Sequence, residues 1–132
     1  MEINTWLKYL LISSIIGVIV ETGAFIMHWW ILNPWWFFIP WGIIWEGLCF
    51  GTLAYFIKKY HHAIQYVISA SVGGLGEVIV AIWIPLWQFP NERFLFLNGL
   101  PAIIMALTVV WGFFCPLLNV FMKQIFKIEE ND

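Results

Sequence analysis

Four long apolar runs, each able to cross a lipid bilayer as a helix, constrain the fold of this chain more than any other feature. They cover residues 6–30, 36–57, 63–87 and 97–122. A hydrocarbon core of about 30 Å needs roughly 20 predominantly apolar residues in a helix. The connections are short, so consecutive helices are expected to be antiparallel neighbours. We therefore predict an all-α integral membrane protein, an up-down bundle of four transmembrane helices in a single domain over residues 1–132.

The composition excludes the main water-soluble classes of protein. Hydrophobic residues make up 62% of the chain and charged residues 11%, whereas soluble domains contain about 45–50% and about 25%. So few charges could not cover the surface of a water-soluble fold of this size. A soluble enzyme and a nucleic-acid-binding protein are therefore excluded, and the lipid bilayer is the expected surrounding. The runs also lack the apolar/polar alternation of transmembrane strands.

Positive charge is concentrated on one side of the predicted bundle. Only Arg93 lies on the other side. Because cytoplasmic loops of membrane proteins are enriched in Lys and Arg, we expect a multi-pass protein of the cell membrane with both termini in the cytoplasm. The basic residues on the cytoplasmic side are Lys8, Lys58, Lys59, Lys123 and Lys127.

The chain contains a weak internal repeat. A shift of 56 residues superposes the pattern Ser-x3-Gly-x3-Glu of residues 13–21 on the same pattern at residues 69–77. The two repeats cover residues 11–57 and 67–114, and each contains one helical hairpin. An even number of spans in each repeat gives both repeats the same orientation. We therefore predict two similar hairpins related by a parallel pseudo-twofold axis along the membrane normal.

Three glutamates, Glu21, Glu46 and Glu77, fall inside the apolar runs. At 1.5 Å per residue, each lies roughly 9–12 Å below the outer boundary of the membrane, so the three carboxyls share one level. A charged acid in mid-span costs about 2.5–3.5 kcal/mol, and no Lys or Arg shares this zone. We expect at least one carboxyl to be protonated at neutral pH, or a cation to occupy the cluster. Alternatively, protonated carboxyls hydrogen-bond to Ser13, Ser69, Thr108 or carbonyl groups and only join the helices.

The candidate site for a ligand or a proton combines these carboxyls with polar and aromatic neighbours. His28 follows Glu21 by two helical turns and lies on the same face, nearer the outside. Tryptophan rings would form walls that attract a cation through cation–π interactions. The predicted site residues are Glu21, Glu46, Glu77, His28, Trp41, Trp45 and Trp83.

No cofactor, no metal site and no catalytic residue is predicted. The chain lacks a glycine-rich phosphate loop, an H-E-x-x-H motif and a G-x-S-x-G motif. Cys49 and Cys115 both fall in apolar runs without a pairing or metal-ligand spacing. They are expected to be small residues of the core.

Three functions remain open at this point. A carboxylate among aromatic rings suits binding or transport of a cationic or lipophilic small molecule, with proton exchange at Glu21 or Glu77 as the driving reaction. A protonated carboxyl in a dry pocket could instead protonate a lipid or an isoprenoid in a membrane-embedded enzyme. An accessory subunit of a membrane complex would use the glutamates only to join helices. The sequence favours the first function.

In architecture the chain resembles the small multidrug resistance transporters, which have four spans with an acid in the first and function as dimers. The resemblance implies a homodimer with a second copy of the chain. The chain departs from that class in its three intramembrane acids, its longer loops and its internal repeat. The resemblance therefore concerns the class of architecture and no shared motif.

Overall fold

The computed structural model describes residues 2–27, 31–32, 34–83, 87–88, 93–94 and 97–127, with the side chains of part of the loops and of neighbouring helix ends left out. The described residues form four long helices. Their ends lie within about one helical turn of the ends of the predicted apolar runs. The helices are α1 over Ile3–Ile26, α2 over Trp35–Ile57, α3 over His62–Trp83 and α4 over Leu100–Phe126.

Three stretches of the described residues are long and apolar enough to cross a membrane. They are Ile3–Ile26, Trp35–Ile57 and Ile104–Phe126. The prediction of a helical protein with segments that are long and apolar enough to span a membrane is therefore confirmed. The predicted third span, 63–87, continues beyond α3 into residues 84–86, which lie outside the described residues. The complete four-span bundle stays a prediction.

Short antiparallel strands lie in the loops, where the sequence predicted none. The strand β1 between α1 and α2 pairs with β2 between α3 and α4, so backbone hydrogen bonds tie these two loops together. A further pair, β3 with β4, lies in the loop before α4. Two residues are too few to show the alternation by which a strand is recognised in a sequence. The strands are β1 over Ile31–Leu32, β2 over Trp87–Gln88, β3 over Arg93–Phe94 and β4 over Leu97–Asn98.

The helices pack as two pairs, α1 along α2 and α3 along α4. Large aliphatic side chains are exposed on all four helices, for example Ile19, Leu48, Leu75 and Leu117. Such a surface is suited to lipid, which is as apolar as the side chains themselves. The buried hydrophobic core contains Tyr9, Phe50, Ala54, Tyr55, Ile57, Trp111, Cys115, Leu118 and Met122.

The middle of α2 is a π-helix over Gly42–Gly51, with hydrogen bonds from i to i+5. Its turns are longer than α-helical turns, so residues four and five apart stack on one face. In a regular α-helix the buried positions of this segment would spread over about half of the circumference. The π-helix therefore turns all of them towards the interior. The buried residues are Gly42, Glu46, Gly47, Phe50 and Gly51.

Glycine lets α1 and α2 approach each other closely. A Cβ atom on Gly17 would lie 2.4 Å from Cβ of Glu46, and one on Gly42 would lie 2.9 Å from the backbone nitrogen of Val18. Because the two helix backbones lie so close together, the Ser13 hydroxyl reaches the main chain of α2 and donates a hydrogen bond to the carbonyl oxygen of Glu46. The four-residue spacing of the pattern Ser-x3-Gly-x3-Glu puts its residues on one helical face, and this is the buried face of α1, with Ser13, Gly17, Glu21 and Ala24.

We expect Gly17→Ala to lower the free energy of unfolding by about 1–3 kcal/mol, because the added methyl group forces α1 and α2 apart. Gly23 is the matched control, since nothing in the described part of the chain lies within 4 Å of a Cβ placed there. Gly23→Ala should be neutral or stabilise by up to about 1 kcal/mol through helix propensity. Unfolding by SDS in mixed micelles measures both variants. Equal stabilities would contradict the close contact at Gly17.

Candidate functional site

Two of the predicted glutamates, one on α1 and one on α2, are buried. Glu21 is 2% exposed and Glu46 is 0% exposed. Glu46 faces Gly17, which precedes Glu21 by about one helical turn on the same face of α1. On α1 the basic residue nearest to Glu21 is Lys8, which lies about 20 Å from it along the helix at 1.5 Å per residue. The first hairpin thus carries two carboxyls in an apolar interior.

The backbone at Glu46 is held by side chains of α1. The Ser13 hydroxyl proton is directed to the Glu46 carbonyl oxygen, so it bonds the main chain at this residue. On the neighbouring residue Gly47, an added Cβ would lie 2.0 Å from Oγ of Ser14. A larger residue at position 47 would therefore displace Ser14. These contacts fix the rotation of the π-helix and, with it, the direction of the Glu46 side chain.

Five aromatic side chains form a continuous aromatic column, defined here as Trp41, Trp45, Phe50, Trp111 and Phe114. Trp41 stacks on Trp45 with ring centroids 5.6 Å apart. The edge of Trp45 meets Phe50 at 5.5 Å and Trp111 at 6.3 Å. Phe50 stacks on Trp111 at 4.5 Å, and Phe114 contacts both at 5.3 and 5.6 Å. The column therefore connects the residue beside Glu46 with α4 of the second hairpin.

The sequence predicted only part of this column. Trp41 and Trp45 were predicted as site residues, and both belong to it. Phe50 and Trp111 were missed, because they lie on different helices and no polar residue marks their positions. Their meeting depends on how each helix is rotated, which an apolar run does not indicate.

Trp45 also reaches α3. Its indole Cη2 lies 2.2 Å from the place of an added Cβ on Gly76, so the ring fills a space that glycine leaves open. Gly76 is followed directly by Glu77, the third predicted glutamate. The side chains of Glu77 and Trp83 are outside what the structure describes, and His28 lies outside the described residues. Their place in the site stays a prediction.

Within the described residues, no group of three or more His, Cys, Asp or Glu side chains could hold a metal ion. Both cysteines are free, Cys115 buried and Cys49 exposed. The expectation of a core position is confirmed for Cys115 and wrong for Cys49. Cys49 follows the exposed Leu48 on the surface of α2.

No protein-family model, no curated protein and no solved structure matches this chain. Its chemistry is therefore inferred from the buried carboxyls and the aromatic column. Carboxylates attract cations by charge, and the faces of aromatic rings attract them through the ring quadrupole. A site that combines both is suited to a cation with apolar substituents.

We expect Phe50→Ala to lower the free energy of unfolding by about 3–5 kcal/mol, because it leaves a cavity in the middle of the aromatic column. Phe50 is 0% exposed, whereas the control residue Phe121 is 39% exposed on α4. Phe121→Ala should therefore have a much smaller effect. Thermal unfolding in detergent, followed by circular dichroism, compares the two variants. A Phe121→Ala effect as large as that of Phe50→Ala would contradict the central packing role of Phe50 in the column.

Proposed function

We propose that the protein binds a cationic or lipophilic small molecule within the membrane and moves it across the bilayer in exchange for a proton. The proposed site consists of Glu21, Glu46 and the aromatic column, and it extends to Glu77, His28 and Trp83. The observation that carries the proposal is the burial of Glu21 on α1 and of Glu46 on the neighbouring helix α2. Both lie in helices that are long and apolar enough to span a membrane.

The cost of burying these carboxyls supports a role beyond packing. Each charged acid in mid-span costs about 2.5–3.5 kcal/mol on insertion scales. Two of them would cost about 5–7 kcal/mol, which is comparable with the whole stability of a small domain. A bound proton or a bound cation removes most of this cost. Two carboxyls that alternate between a proton and a cation are therefore the simplest use of the arrangement.

The aromatic column supports a ligand with apolar substituents. A cation over an aromatic face gains about 0.5–2 kcal/mol, most where water is excluded. Trp45 is only partly buried and lies between Trp41, Trp111 and Gly76. An aromatic ammonium or phosphonium ion could thus meet ring faces and a carboxylate at one place. A small hydrated ion would gain little from the rings.

The proposal includes the four-span bundle, with its two similar hairpins and both termini in the cytoplasm of a cell membrane. Contacts at one end of the molecule support the common location of the basic residues. The Lys8 ammonium lies 5.5 Å from the Phe126 ring centre, and the Glu2 amide donates to the Tyr55 hydroxyl at 3.1 Å. The start of α1 and the ends of α2 and α4 therefore lie together. Positive charge at that end favours the cytoplasmic side.

We expect Glu46→Gln to weaken binding of tetraphenylphosphonium by roughly tenfold or more, equivalent to about 1.4 kcal/mol, because the charge is lost while the shape is kept. Glu21→Gln should act in the same direction. Binding is measured by isothermal titration calorimetry of the protein in lipid nanodiscs. The control is Glu2→Gln, since Glu2 is exposed at the basic end of the molecule and should leave the affinity unchanged.

Transport is tested in liposomes with an imposed pH gradient. Uptake of the same cation should follow the gradient in the wild type and be lost in Glu46→Gln. Equal affinities of the wild type and both intramembrane Gln variants would overturn the proposed site. If uptake does not depend on the pH gradient, the proposed binding site stands but the proposed exchange with a proton is contradicted. A lipid product that forms with the wild type and not with the Gln variants would instead favour a membrane-embedded enzyme that protonates a lipid or an isoprenoid.

A further inference from the structure

Ser69 of α3 enters the backbone hydrogen bonding of α4. Its hydroxyl donates to the carbonyl oxygen of Trp111 at 2.5 Å and accepts the amide proton of Cys115 at 3.5 Å. In a regular α-helix these two backbone groups pair with each other, because the amide of residue i bonds the carbonyl of residue i−4. The side chain of Ser69 therefore bonds both partners of one such pair and competes with their direct bond.

The next hydrogen bond of α4 is missing for a different reason. Pro116 has no N–H group, so the carbonyl of Gly112 has no donor at the i+4 position. The bond from 112 to 116 is therefore absent, and Ser69 competes for both groups of the preceding bond, 111 to 115, within a helix that continues over Leu100–Phe126. Helices bend at proline and where a side chain inserts into the hydrogen-bond ladder, and segment 111–116 has both features.

Ser69 reaches the backbone of α4 because glycines bring the two helices together. A Cβ on Gly73 would lie 2.2 Å from Cβ of Trp111, and one on Gly112 would lie 2.5 Å from the ring of Tyr66. The Ser69 side chain is fully buried. In a membrane interior no water competes for these backbone groups, so a serine hydroxyl is an effective alternative partner.

Segment 111–116 begins at a residue of the aromatic column. Trp111 stacks on Phe50 at 4.5 Å and meets the edge of Trp45 at 6.3 Å. Trp45 in turn directly precedes Glu46. A bend of α4 at this segment therefore moves one wall of the candidate site relative to the residues beside the buried carboxyl.

We propose that residues 111–116 of α4 form a hinge that is set by the Ser69 hydroxyl and Pro116, and that Ser69 positions the Trp111 wall of the candidate site. The hinge stands on the hydrogen bonds of Ser69 and on Pro116, whereas its movement on ligand binding rests on the proposed function. Ser69 acts through the α4 backbone and through Trp111. It is a positioning residue, with no part in the chemistry of the carboxyls.

The test is hydrogen–deuterium exchange of single backbone amides, measured by NMR on the ¹⁵N-labelled protein in lipid nanodiscs without ligand. In the wild type the Cys115 amide should exchange faster than those of Leu118 and Asn119. In Ser69→Ala the Trp111 carbonyl and the Cys115 amide can bond directly, so exchange at Cys115 should slow several-fold. Ser71→Ala is the matched control, because the Ser71 hydroxyl bonds the Val67 carbonyl of its own helix at 2.8 Å on the exposed face.

Faster or unchanged exchange at Cys115 in Ser69→Ala would overturn the hinge, because the hydroxyl would then only stabilise α4. Pro116→Ala provides a second variant if Ser69→Ala fails to fold. It restores an amide donor for Gly112, so it should also slow exchange across the segment. Unchanged exchange in Pro116→Ala would likewise contradict the proposal.

A titration with tetraphenylphosphonium separates the hinge from the proposed function. In the wild type the cation should shift the Trp111 indole and Cys115 amide resonances, and Pro116→Ala should reduce both shifts. If exchange slows as expected but the cation shifts neither resonance, the hinge holds and the proposed ligand class is wrong. If the cation binds but exchange is unchanged in both variants, the proposed function stands and the hinge is overturned.

Discussion

The close approach of helix backbones at glycine is the constraint on which the rest of this structure depends. Lipid is as apolar as leucine, so helices in a membrane associate through packing and hydrogen bonds and gain little from the hydrophobic effect. Gly17 and Gly42 bring α1 to α2, and Gly73 and Gly112 bring α3 to α4. Only at such distances can a short side chain reach the main chain of its neighbour. Ser13 and Ser69 do so, one in each hairpin.

The candidate site is built on these contacts and lies within the helices. Glu46 packs against Gly17 in the α1–α2 interface. The neighbouring Trp45 contacts Gly76 of α3 and Trp111 of α4. Residues on packed helices are held more rigidly than residues on loops. The site and the packing of the hairpins therefore depend on the same contacts, since the aromatic column begins beside the buried carboxyl of Glu46 and joins the hairpins where Phe50 meets Trp111.

The sequence was sufficient for the helical class, the approximate ends of the four helices and the buried face of α1, because each depends on long apolar runs or on the spacing of small residues. From the sequence, Glu21, Glu46, Trp41 and Trp45 are predicted to share one site, and the structure shows that both glutamates are buried and that the two tryptophans stack. It could not indicate the π-helix of α2 or the meeting of Phe50 with Trp111. A helix that is apolar all round carries little information about its own period, so the pattern cannot distinguish turns of different length. The short strands are set by loop contacts that no local pattern encodes.

The winding of the π-helix in α2 determines which of its residues face the neighbouring helices. If Gly42–Gly51 adopted the i→i+4 bonding of an α-helix, the segment would have fewer residues per turn. The rest of α2, Thr52–Ile57, would then rotate about the helix axis. That rotation would carry Phe50 off the face of Trp111 and turn Gly51 away from α1. Rewinding of α2 would therefore break both the contact of Phe50 with Trp111 between the hairpins and the packing of Gly51 against α1.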